Sequence, residues 1–157
     1  MNKQAGSIER IAEWQSELTE IRRDIHAHPE LGFEENRTSD LVAGKLAGYG
    51  CEVHRGLGKT GVVGTLRVGN STRSVGLRAD MDALPMQEVN TFEHRSTYDG
   101  KMHACGHDAH TAMLASAAHL LSEYRDEFAG AVCFMFQPGE EGPGGAEPML
   151  AEGLLAA

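Results

Sequence analysis

With 157 residues, the chain is long enough to bury one ordinary core and too short for two domains of typical size. Hydrophobic residues make up 41% and charged residues 24%, a globular composition that calls for neither disorder nor a fibrous repeat. The formal charge of −9 argues against nucleic acid or anionic lipid as partners, because both need a basic surface to displace counterions.

The first twenty residues mix charged and apolar positions, so no secretory h-region is expected, and no later stretch is apolar enough to span a bilayer. Cys51, Cys105 and Cys133 are odd in number and widely spaced, which fits a reducing compartment better than a disulfide framework; a cytoplasmic location is the expectation. Ile8, Ile11, Trp14, Leu18, Ile21 and Ile25 recur every three or four residues and predict one long amphipathic helix, ended by Pro29 and Gly32. A second helix is predicted over 34–49, with Leu41, Val42, Leu46 and Tyr49 inward and Gly50 at its C-terminal cap.

Short β-forming runs flanked by glycine and polar turn residues predict strands over 51–55, 61–68 and 73–79. A helix follows over 110–124, its inward face expected to carry Met113, Ala117, Leu120, Leu121 and Tyr124, with the methionine in a packing role. The continuous apolar run 131–136 reads as a strand buried on both faces. A last helix begins near Gly145, and the chain reaches Ala157 without a capping signal or a returning strand, so an incomplete domain is expected. Alternating helices and strands predict an α/β layered domain, a helix-covered sheet that is mixed or mostly parallel.

Three polar clusters stand beside these elements: RADMDALP after the third strand, HACGHDAH before the long helix and QPGEEGPGG after the buried strand. Ligands of open α/β sheets bind at the carboxyl ends of strands, where such clusters converge. Within HACGHDAH, Cys105 and His107 are spaced so that a turning loop can present both to one ion, with His103, Asp108 and His110 crowded around. The same pair also reads as a thiol nucleophile with its base, or as a buried thiol beside solvated imidazoles. Glu140 and Glu141 leave the buried strand together, so one can bind metal while the other takes a proton; a solvated acidic loop is the bland alternative. Asp80 and Asp82 would point to the same side if the strand geometry persists, one of them orienting a metal-bound imidazole. Direct metal contact, a turn cap or a salt bridge with Arg78 are the other readings of that pair.

RRDIHAHPELGFEE at 22–35, GLRADMDALPMQE at 76–88, KMHACGHDAHTAM at 101–113 and FQPGEEGPGGAEPML at 136–150 together resemble the metal-dependent aminoacylase and hippurate hydrolase family. Plant auxin-conjugate hydrolases and bacterial N-acetyl-diaminopimelate deacetylases belong to that group, which is related to the binuclear zinc carboxypeptidases. The resemblance implies a zinc-exopeptidase-like catalytic domain that uses two divalent ions (zinc, manganese, cobalt or nickel) to hydrolyse N-acyl amino acids of the hippurate type. Cys105, His107 and Glu141 would be metal ligands and Glu140 the general base. Asp82 would support the site from behind; Asp80 stands where the related carboxypeptidases carry a histidine and remains the alternative. Members of the family draw two further histidine ligands from later sequence and carry a lid domain used for dimerisation. The 157 residues therefore correspond to the N-terminal part of a catalytic domain, expected to bind metal weakly and not to turn over, while a longer protein would be a homodimer or higher oligomer. The rival expectations are a thiol-dependent hydrolase using Cys105 with His107 or His103, and a non-catalytic metal-binding remnant.

Overall fold

The computed structural model of the chain describes residues 3–142 and 144–156; Met1, Asn2, Pro143 of the QPGEEGPGG loop and Ala157 lie outside the described residues. The single long N-terminal helix is instead two helices, α1 (Lys3–Glu13) and α2 (Gln15–Ala27), divided at Trp14, whose φ of −98° and ψ of 5° depart from helical values. Ile21 and Ile25 of the expected stripe are buried, but Ile8 is 72% exposed. The break lets α1 dock by polar and aromatic contacts where an apolar stripe was expected. Trp14 stacks on His119 with ring centroids 3.9 Å apart, Arg10 lies over the indole, and its guanidinium pairs with Glu123 at 2.7 and 2.8 Å.

Helix α3 (Asn36–Gly48) has its first amides satisfied from a distance: Glu30 accepts the N–H groups of Arg37 at 2.9 Å and Thr38 at 2.8 Å. At its other end Gly50 takes φ 78°. The Gly50 N–H donates to the Ala47 carbonyl and the Cys51 N–H to the Leu46 carbonyl, both at 3.0 Å, which is the paired closure of a Schellman turn. Glycine is required there because a side chain at that φ would crowd the adjoining carbonyl.

Strands β1 (Glu52–Leu57), β2 (Gly61–Val68), β3 (Ser74–Asp80) and β4 (Gly130–Gln137) form one sheet in the order β1-β2-β4-β3. The sheet is mixed and not largely parallel: β1 with β2 and β2 with β4 are antiparallel, and only β3 with β4 is parallel. Helix α4 (His107–Glu123) makes the crossover between the two parallel strands. Because Asp80 pairs with Gln137, those two strands end level, and the segments that follow them leave the same edge.

Helices α3 and α4 cover one face, where Val42, Leu46, Leu114, Ala115 and Ala118 meet Val62, Leu66, Phe134 and Phe136. On the other face of β4, Cys133 and Met135 are only partly buried, so the run 131–136 is not enclosed on both sides as its hydrophobicity suggested. Helix α4 begins three residues before its predicted start, and its inward face is Thr111, Ala112, Leu114, Ala115 and Ala118. Met113, expected to pack, is 60% exposed. Small side chains let α4 lie close on the sheet, and small or polar residues leave a weak hydrophobic period to read. The short helix α5 (Ala146–Ala151) starts after Gly145, as its sequence indicated.

Candidate metal centre

His107 is the first residue of α4, so a helix, not a turning loop, presents it. Its ring is 2% exposed and lies over the ends of β3 and β4. Nδ1 donates to the main-chain carbonyl of Asp82 at 2.9 Å, with Asp82 Oδ1 alongside at 3.2 Å. Nε2 is thereby turned to the opposite side, where Asp80 Oδ1 lies at 3.5 Å, Glu141 Oε1 at 3.7 Å and Glu140 Oε2 at 3.8 Å. Burial alone would lower the pKa of this imidazole; the hydrogen bond to Asp82 and the charges of Asp80 and Asp82 overcome that and raise it.

The two aspartates do not share one extended side. Strand β3 ends at Asp80, and the Met81 N–H still donates to the Gln137 carbonyl at 3.0 Å, so Asp82 falls beyond the regular pleat. Asp82 consequently sits behind the ring and Asp80 in front of it. Burial opposes ionisation of Asp82, yet His107 and the backbone amides of Glu141 and Glu140 hold its pKa below the usual value. Asp82 Oδ2 accepts the Glu141 N–H at 2.9 Å, so this one carboxylate orients both the imidazole and the double-glutamate turn. Asp80 is likewise held low against burial, with His110 at 2.6 Å, His107 and Arg78 at 3.0 Å as its partners.

Cys105 Sγ, a His107 ring nitrogen and a Glu141 carboxylate oxygen all lie within 4.8 Å of one another. This thiol, imidazole and carboxylate set fits a divalent cation: the three donors need only small movements to reach metal–ligand distances of about 2.0–2.3 Å. Asp80, His107 and His110 form a second such grouping. Both groupings draw on His107, and with Nδ1 committed to Asp82 the ring offers one nitrogen, so His107 cannot serve two ions at once.

The surroundings of Cys105 oppose the thiol-nucleophile reading. Its hydrogen bond to Glu141, desolvation and the charges of Glu141, Glu140 and Asp80 push the thiol up to about 11, whereas a nucleophilic cysteine needs an electropositive neighbourhood. A bound cation would reverse that field and favour the thiolate. Glu140 is more open than Glu141, its side chain 41% exposed against 24%.

Two parts of the centre carry no sequence signal of their own. Glu35, fully buried, accepts the Thr60 hydroxyl at 2.6 Å and the Gly139 N–H at 2.8 Å; burial pushes its pKa up while those hydrogen bonds pull it down. On the far side of His107 lies a buried imidazole and carboxylate cluster. His26 Nδ1 meets Asp108 at 2.9 Å and His26 Nε2 meets Glu88 at 3.2 Å, while Arg22 reaches Asp108 at 3.0 Å. His26, which reads as a surface or structural histidine, proves to be the buried centre of this cluster and fastens α2 to the first turn of α4. Burial inside the RRDIHAHPELGFEE motif is the property that marks both Glu35 and His26, and a sequence shows it only indirectly.

The sequence profile described as peptidase family M20/M25/M40 matches residues 76–157. Hippurate hydrolase of Campylobacter jejuni is 51% identical over 148 residues, which are 94% of this chain and 38% of that protein. IAA-amino acid hydrolase ILR1-like 4 of Arabidopsis thaliana is 53% identical over 135 residues, 86% of this chain and 30% of its own length. The crystal structure of the Bacillus subtilis YXEP protein, described as a dinuclear metal binding peptidase from the M20 family, superposes with a TM-score of 0.87 at 40% identity. That match covers 92% of this chain and 41% of the other. The chain thus spans well under half the length of these relatives. No helix among the described residues is long and apolar enough to cross a membrane.

Proposed function

The chain belongs to peptidase family M20/M25/M40, and from that premise we propose that it supplies the N-terminal part of the catalytic domain of a metal-dependent amidohydrolase acting on N-acyl amino acids of the hippurate type. The observation that carries this reading is the meeting of Cys105, His107 and Glu141 within 4.8 Å, with Glu140 beside them. Hippurate hydrolase at 51% identity supports the substrate class.

In this reading Cys105, His107 and Glu141 hold a divalent ion, zinc, manganese, cobalt or nickel. When bound, the ion polarises the amide carbonyl and brings the pKa of water toward neutrality. Asp82 keeps the Nδ1 hydrogen of His107 in place and so fixes Nε2 toward the donors. Glu140 takes the proton of the attacking water and returns it to the departing amine, leaving a carboxylate and a free amino acid. Asp80, tied to His110 and Arg78, shapes the front of the site. A second ion needs donors beyond the described residues, because both groupings rely on the one free nitrogen of His107. The 157 residues alone are accordingly expected to bind metal weakly and not to turn over. We place the protein in the cytoplasm, where the unpaired Cys51, Cys105 and Cys133 would stay reduced, and expect the whole protein to be a homodimer or larger.

Metal analysis together with hippurate hydrolysis by the product of the complete gene tests this. Glu140→Gln should retain metal and lose about 10²–10⁴-fold in kcat, the usual worth of a general base. Cys105→Ala should lose metal and activity together. Full activity in the presence of a strong chelator, or inhibition by thiol alkylation of protein that holds no metal, would overturn the reading in favour of thiol chemistry.

A further inference from the structure

A fully buried carboxylate is costly unless its charge or its lone pairs are used, and Glu35 is fully buried. Its two oxygens are committed to two different segments. Oε2 accepts the hydroxyl of Thr60, itself buried, at the entry to β2, and Oε1 accepts the main-chain N–H of Gly139 at 2.8 Å. Gly139 is the residue immediately before Glu140.

The Gly139 peptide is also the knot of its loop. The Gly139 carbonyl accepts the N–H groups of Gly144 at 2.9 Å and Gly145 at 3.1 Å. A Cβ on Gly145 would collide with the Pro138 carbonyl, so this closure admits no side chain at that position. Two residues along, the Glu141 N–H is held by Asp82 at 2.9 Å. The turn carrying Glu140 and Glu141 is therefore suspended between two carboxylates, Glu35 from the start of α3 and Asp82 from the end of β3.

The two segments that meet at Glu35 both take up conformations that their residues ordinarily avoid. Phe33, two residues before Glu35, has φ 66°, and Lys59, next to Thr60, has φ 74°. Bulky residues in the left-handed region persist only where the surrounding structure demands it. Lys59 Nζ lies 4.9 Å from the Phe33 ring centroid, so the two strained segments touch.

Resting on the reading of Glu140 and Glu141 given above, we propose that Glu35 is a positioning residue, whose grip on the Gly139 amide sets the directions in which the two glutamates leave their turn. It touches neither substrate nor ion; it acts through the backbone. Glutamine at this position can do the same work, its amide oxygen accepting from Gly139 and its amide N–H donating to Thr60. Aspartate, one methylene shorter, cannot span both partners, and alanine reaches neither.

The test compares Glu35→Gln, Glu35→Asp and Glu35→Ala in the product of the complete gene, read by backbone hydrogen exchange of the metal-free protein and by steady-state kinetics. Exchange over residues 139–142 should rise about tenfold or more in the Asp and Ala variants while β2 amides stay as in the wild type, a pattern that general loss of stability does not give. kcat should fall about tenfold or more with KM changed less than about threefold, since displaced catalytic groups lose reaction geometry before they lose binding. Glu35→Gln should restore both readouts to within about threefold of the wild type. If Glu35→Ala does not fold, Glu35→Asp and Glu35→Gln carry the comparison. Wild-type exchange at 139–142 in a folded Asp or Ala variant, or a Gln variant as impaired as they are, overturns the proposal. Exchange needs no catalysis, so a wild-type protein that neither binds Mn²⁺ nor hydrolyses hippurate would discredit the functional reading separately.

Discussion

His103 is buried between the metal centre and the His26 cluster, and neither of its ring nitrogens has a hydrogen-bond partner among the described residues. Burial lowers its pKa from 6.5 to about 4, against the pull of the Asp108 charge, with His26 and His107 adding to the depression. The unfolded chain therefore takes up a proton between about pH 6.5 and 4 that the folded chain refuses. The contribution of His103 to the stability of the metal-free chain is expected to be fully present above about pH 6.5, to be lost as the pH drops toward 4, and then to level. His103→Leu should flatten that window, which urea unfolding at a series of pH values reads directly; an unchanged slope in the variant would show that another group titrates there. The contrast with Cys105, His107, Glu140 and Glu141 explains what a sequence reveals. Those four stand in dense clusters of reactive side chains, and the structure brings them together. Glu35, Glu88 and His26 are scattered through segments where an acid or a histidine ordinarily meets water, and only burial and partners distinguish them.

At the scale of elements, Gly50 shows how far local chemistry reaches. Its φ of 78° lets the Gly50 and Cys51 amides close α3 and turns the chain straight into β1. Gly50→Ala should cost about 1–2 kcal/mol, the penalty for a Cβ in the left-handed region. The nearest heavy atom to that Cβ would be Arg125 Nη2 at 3.2 Å, which donates to the Tyr49 carbonyl at 3.1 Å, so a small displacement of that guanidinium adds to the conformational cost. A lower urea midpoint at unchanged m-value is the expected signature, and a midpoint shift under about 0.5 kcal/mol would contradict it. Such capping was legible because glycine at a helix end has one common use. The division at Trp14 was not. The stripe of Ile8, Ile11, Trp14 and Leu18 continues through the break, which is fixed by the stack of Trp14 on His119 and of His119 on Tyr49, 4.4 Å between centroids, all contacts remote in sequence. The start of α4 is hidden in the sequence for a related reason: His107, Asp108 and Thr111 are buried polar residues, and an apolar period does not count them.

For the whole molecule, alternation of helices and strands made the α/β class legible, while strand order was not, because β2 lies against β4 across more than sixty residues of intervening chain. That order leaves β1 and β3 at the margins, each paired on one side only among the described residues. The margins differ in chemistry. Strand β1 carries Glu52, His54 and Arg55, charges that discourage pairing with another edge, whereas the first half of β3 offers Val75, 58% exposed, then Gly76 and Leu77, before the charged Arg78. An unprotected edge of this kind adds strands from neighbouring molecules, so the 157-residue chain should associate reversibly through β3. Sedimentation velocity over a hundredfold range of concentration is expected to show the mean mass rising with concentration. Val75→Lys, which sets a charge at an exposed position on the same sheet face as Leu77 and Ala79, should shift association to at least about tenfold higher concentration. A single monomer boundary for the wild type at every concentration, with one cooperative melt, would mean that the β3 edge does not recruit strands from neighbouring molecules.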